Sequence, residues 1–241
     1  MLLRRVLAPL LLAACLGSSE ASPPEDQLHI LFIGNSLTAA NDLPGVVRRL
    51  GEAIDGKAPV TQSVAEGGFS LEDHWNRGEA QQAIAGDRWD MVVLQQGPSA
   101  LPESRILLVE YSKTFDEEIR KVGGRPALYM VWPPAERAAD WDEVTESYRT
   151  AAQALNGILF PVGEAFRAAL RRYPGLTLFA SDGFHPSSAG TYLAALVIYA
   201  QASHKSPLGI SHRAGIADFP PQDIDAIEAG AAEAIERFSS P

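Results

Sequence analysis

Ile30-Leu31-Phe32-Ile33-Gly34-Asn35-Ser36-Leu37-Thr38 is the stretch whose reading decides the fold. Four apolar residues of strand type run into Gly34, and a polar tripeptide carries Ser36 two residues beyond it. Leu43, Val46, Val47, Leu50 and Ile54 then recur at a helical period, and Gly56 follows. A strand–turn–helix of this kind holds a serine at the C-terminal edge of a sheet, where open α/β sheets place their sites. The helix N-terminus behind it offers free N–H groups and a positive dipole end, which favour a developing oxyanion. Alone, the same pattern also describes an ordinary turn and helix cap. Function therefore rests on what the rest of the chain adds.

Outward from this turn, short apolar runs alternate with helical stretches. Further strands are expected near residues 59–64, 90–94, 127–132 and 158–162. Helices are expected over 71–85, 105–122, 142–155, 163–172, 188–202 and 223–238, with loop between 203 and 222. No internal repeat interrupts the pattern. It predicts an α/β fold, a three-layer α/β/α sandwich with about five parallel strands. Parallel strands bring the ends of the first three to one edge. These ends carry Ser36, Gly67-Gly68 and Gln95-Gln96, and the loop at 181–186 can reach them.

Of the 241 residues, 46% are apolar, enough for a sizeable core. The formal charge of −10 argues against nucleic acid, whose phosphates need clustered Lys and Arg. Arg4 and Arg5 precede an apolar run at 6–14 that is too short to span a bilayer and has the flanks of a signal peptide. Leu12-Ala13-Ala14-Cys15 closes it and resembles a bacterial lipobox, in which the Cys is acylated. Cys15 is the sole cysteine, which suits lipidation; ordinary cleavage near Ser19-Glu20-Ala21 is the alternative. Either reading predicts export to the periplasm or cell envelope, with membrane contact only through an N-terminal lipid. The expected organisation is a signal peptide at 1–14, a tether at 15–26 and one domain at 27–241.

Acyl transfer through serine needs a nucleophile, a base, a group that orients the base, and donors aimed at the oxyanion. Ser36 supplies a hydroxyl. Among five histidines, His185 has the most telling neighbourhood, because Asp182 lies three residues before it in one tight turn. That spacing can bring the carboxylate to Nδ1 and leave Nε2 for the serine. The bland reading of Asp182-Gly183-Phe184-His185-Pro186 is a turn before a helix. His74 is expected on a helix surface, Asn41 and Asp42 as caps, Glu66 as an exposed loop carboxylate, and Trp75, Trp89, Trp132 and Trp141 in packing. No His-x-x-x-His or Cys cluster supports a metal site.

These blocks together resemble the SGNH hydrolases, also called GDSL-type esterases and lipases. Gly34-Asn35-Ser36-Leu37 stands where the family has Gly-Asp-Ser-Leu, Gly68 matches the second block, and Asp182-x-x-His185 matches the last. The resemblance spans residues 28–202 and implies a flavodoxin-like sheet. It implies Ser36 as nucleophile, His185 as base, Asp182 as orienting acid, and the Ser36 and Gly68 N–H groups as oxyanion donors, with no cofactor. The family's third block, Gly-x-Asn-Asp, is absent; Leu94-Gln95-Gln96-Gly97 stands there. A Gln amide can donate to an oxyanion, so Gln95 or Gln96 is expected to complete the hole, Gln95 preferred because it leaves the strand first. The expected activity is hydrolysis of carboxylic esters on small-molecule or glycan substrates through an acyl-enzyme. The lack of a lid favours small acyl groups, and O-acetyl groups on carbohydrate are the leading candidate. The alternatives are a lipase or thioesterase of the same fold, or a catalytically weak glycan-binding envelope lipoprotein.

Overall fold

The computed structural model describes residues 27–215 and 218–238. The expected signal peptide, tether and lipidation site at Cys15 lie outside the described residues. The chain order is β1 His29–Gly34, α1 Ser36–Ala39, α2 Leu43–Asp55, β2 Val60–Ala65, α3 Leu71–Arg77, α4 Glu79–Gly86, β3 Met91–Leu94 and α5 Pro102–Lys121. It continues through β4 Arg125–Tyr129, α6 Trp141–Leu155, β5 Ile158–Phe160, α7 Val162–Arg172, α8 Ser188–Ala202, α9 Ile210–Ala214 and α10 Pro221–Phe238.

The five strands form one sheet in the order β2-β1-β3-β4-β5, every pair parallel. The chain steps one way from β1 to β2 and the other way from β2 onward. Right-handed crossovers then put α2 on one face and α3 to α6 on the other. α7, α8 and α10 complete the first layer, where α8 packs on α2, α7 and α10. This sandwiched position explains why α8 is apolar almost all round and buried from Ala189 to Ala200. Ile30–Ile33 are fully buried and Met91–Leu94 nearly so, as strands covered on both faces must be.

The reversal of direction places a topological switch point between β1 and β3, and a crevice opens there at the C-terminal edge. Ser36 leaves β1 and Gln95 leaves β3 at that point, with Ile33 paired to Leu94. The stretch at 71–85 is helical, as two helices broken at Gly78. One local expectation is corrected: the loop after α8 contains the short helix α9. No described helix is long and apolar enough to cross a membrane.

Candidate active site

Asn35 caps α1, its Oδ1 accepting the Leu37 N–H at 3.1 Å. Ser36 is therefore the first residue of a helix that starts directly at the strand end, half-buried at the crevice. Its Oγ lies 2.9 Å from Nε2 of His185. Nδ1 of the same ring lies 2.5 Å from Oδ2 of Asp182. A carboxylate can only accept, so Nδ1 carries the proton and Nε2 is left as the acceptor for the serine O–H. Residues 149 positions apart are thus brought into one relay.

The loop that carries the base is braced from several sides. Oδ1 of Asp182 accepts the N–H groups of Phe184 at 2.9 Å and His185 at 3.0 Å. The Ala180 N–H donates to the His185 carbonyl, and the Ala135 N–H to the Gly183 carbonyl. Trp132, buried and stacked on Phe166 with centroids 3.8 Å apart, donates its Nε1–H to the Phe184 carbonyl at 2.9 Å. Its ring is core packing, as expected, but its N–H holds the residue next to His185.

The His185 imidazole beside it, reinforced by the Phe184 N–H, holds the Asp182 carboxyl at about 2, below its usual 3.8. A carboxyl lowered in this way stabilises the fold above its usual range and loses that contribution as pH falls through the folded value. Acidification from about pH 5 to pH 2 should lower the thermal midpoint of the wild type more than that of Asp182→Asn. Parallel slopes would contradict the contact. The difference is small, because the Asp182 side chain is half exposed and solvent screens it.

Donors for an oxyanion are available beside this relay. The N–H groups of Ser36 and Gly68 have no acceptor among the described residues. Gly68 sits at a φ of 78°, a left-handed turn that a side chain would strain. Asn35 links the two segments, its Nδ2 donating to the Phe69 carbonyl at 3.1 Å.

The expectation that Gln95 or Gln96 donates to the oxyanion is corrected. Gln95 is fully buried, and its amide is wholly committed. Oε1 accepts from the Asn35 N–H at 2.8 Å and the Thr38 hydroxyl at 2.7 Å. Nε2 donates to Asn35 Oδ1 at 2.9 Å and to the Gln96 carbonyl at 2.6 Å. Because a backbone N–H needs an acceptor, the amide cannot be turned round. The Thr38 hydroxyl and this amide pass so close to Gly34 that a Cβ there would sit 2.3 Å from Thr38 Oγ1 and 2.5 Å from the amide oxygen, which is why the strand ends in glycine. Gln96 is likewise engaged, accepting from the Leu71 N–H and donating to Ser99 Oγ and the Ser104 carbonyl.

His74 is also corrected. It is 2% exposed and its Nε2–H donates to the Gly34 carbonyl at 2.7 Å, with the ring edge-on to Phe69. Burial lowers its pKa, partly opposed by that hydrogen bond, and so favours the neutral ring. Its spacing of three from Leu71 was the available signal for an inward face. Asp42 caps α2 through Gly45 as expected, whereas Asn41 does not cap. Glu66 is exposed. Among the described residues, no group of three His, Cys, Asp or Glu is placed to hold a metal ion.

A parallel three-layer sheet with Ser, His and Asp in series at its switch point defines a serine hydrolase. No family profile and no curated protein matches the chain. Solved structures do. A protein described as a candidate SGNH hydrolase, from Slackia heliotrinireducens, is 29% identical with a TM-score of 0.61; the match covers 72% of this chain and 98% of that one. A DUF4886 family protein from Bacteroides uniformis gives a TM-score of 0.70 at 20% identity, over 88% of this chain and 96% of that one. An acetylxylan esterase from Geobacillus stearothermophilus gives 0.53 at 17%, over 79% and 95%. The last two show a shared fold. The likeness to the first places the chain in the SGNH hydrolase superfamily.

Proposed function

We propose that the protein hydrolyses carboxylic esters through an acyl-enzyme on Ser36, and that its substrates are small acyl groups, foremost O-acetyl groups on carbohydrate. The observation that carries the mechanism is the unbroken series Asp182–His185–Ser36, with separations of 2.5 Å and 2.9 Å. Ser36 Oγ attacks the acyl carbonyl as Nε2 of His185 takes its proton. Asp182 keeps the ring in the tautomer that allows this and stabilises the imidazolium. The Ser36 and Gly68 N–H groups receive the oxyanion. The alcohol leaves with the proton from His185, and water repeats the path on the acyl-enzyme.

The substrate reading is supported by how open the relay is. The side chains of His185 and Asp182 are 39% and 49% exposed. With the relay this open, an acyl group projecting from a bulky sugar can reach Ser36 without passing through a deep tunnel. A structural neighbour is described as an acetylxylan esterase, which fits this class. The test is a comparison of p-nitrophenyl acetate, p-nitrophenyl octanoate and acetylated xylan with the purified protein. Acetate should exceed octanoate in kcat/KM by about tenfold or more, the scale on which pockets sort chain length, and acetate should be released from the polymer. Preference for octanoate would instead support a lipase or thioesterase. No turnover on any ester would favour a glycan-binding protein without catalysis.

A further inference from the structure

Asn41 lies five residues after the nucleophile, in the turn between α1 and α2, with φ 51° and ψ 25°. Its Nδ2 donates to the Pro186 carbonyl at 2.9 Å and meets Thr191 Oγ1 at 2.9 Å. Pro186 directly follows His185, and Thr191 is a buried residue in the first turn of α8. Both amide hydrogens thus point into the segment that carries the base. Among the described residues, the only side-chain hydrogen bonds joining residues 36–42 to residues 182–191 are these two and the Ser36–His185 contact itself.

We propose that Asn41 is a positioning residue, a clasp that fixes the base-bearing loop against the nucleophile turn and so sets the Ser36–His185 separation. The relay needs such a clasp because Ser36 and His185 arrive on elements far apart in the chain, and their side chains are partly open to water. A single hydroxyl–imidazole bond in that setting is easily exchanged for water. Two bonds from one short side chain, to a carbonyl adjoining the base and to the helix behind it, resist sliding in two directions. Asparagine suits the position twice over: it tolerates the left-handed backbone, and its amide donates where a carboxylate would repel the Pro186 carbonyl.

Two variants separate these properties. Asn41→Gly keeps the left-handed turn and removes the amide. Asn41→Asp keeps the shape and replaces the donor with an acceptor. Both should lower kcat about tenfold to a hundredfold with little change in KM, as misplacement of a catalytic group does, while unfolding stays cooperative. The kinetic arm rests on the esterase reading; a second arm does not. With 15N-labelled histidine, Ser36→Ala should shift the His185 Nε2 resonance in the wild-type background, and shift it less in the Asn41→Gly background. An Asn41→Gly protein with full kcat, or an equal Nε2 shift in both backgrounds, would overturn the clasp. Ester turnover independent of Ser36 alongside a reduced Nε2 shift would overturn the esterase reading and leave the clasp standing.

Discussion

Ser36→Ala is expected to lower kcat on p-nitrophenyl acetate by about 10⁴-fold or more, with the fold unchanged. Removing the nucleophile of a serine relay costs on this scale because no other group can form the acyl-enzyme, and the residual rate comes only from binding and the oxyanion donors. The fold survives because the hydroxyl has one partner among the described residues, His185 Nε2. The cap of α1 is supplied by Asn35 and the core contacts by Leu37, so the turn keeps its shape. Thermal unfolding checks the second half of the expectation and ester turnover the first. Activity within tenfold of the wild type would show that Ser36 is a helix-start residue and nothing more.

Gln95→Leu should act on the fold itself, with a loss of stability of about 2–5 kcal/mol in denaturant unfolding. The two groups that lose their partner are the buried Asn35 N–H and the Thr38 hydroxyl, each costing about 1–3 kcal/mol when left unpaired. The acceptors are better protected: Asn35 Oδ1 keeps the Leu37 N–H, and the Gln96 carbonyl keeps the Tyr148 hydroxyl. Activity should fall as well, because Asn35 positions both Ser36 and the Phe69 carbonyl beside Gly68. If Gln95 were an oxyanion donor, the variant would hold its unfolding midpoint and lose about 10²–10³ in kcat alone. That result would restore the sequence expectation and overturn the network.

The contrast between these residues shows what a sequence reveals. The strands at the heart of the sheet were legible because burial on both faces writes a continuous apolar run, as in Ile30–Ile33 and Met91–Leu94. That Ser36, Asp182 and His185 meet was legible because each belongs to a local pattern: a strand–turn–helix for one, a three-residue spacing for the others. Gln95 was misread because its role is set by what lies opposite it. Its partners Asn35 and Thr38 are about 60 residues away and meet it only through the β1–β3 pairing. His74 was misread because Glu72, Asp73, Asn76 and Arg77 surround it and write a polar face, although its own position faces inward. For Asn41, the residue type and the turn were visible in sequence, but its partners 145 and 150 residues away were not. Local chemistry was readable, and long-range hydrogen bonding between loops was not.

The most direct test of the central claim is covalent trapping. The purified protein is treated with a fluorophosphonate ester, and the adduct is mapped by peptide mass spectrometry. The relay predicts a single phosphonyl group on Ser36, absent in Ser36→Ala and formed far more slowly in His185→Ala. A protein that stays unlabelled, or labelling at another residue that persists in Ser36→Ala, would contradict it.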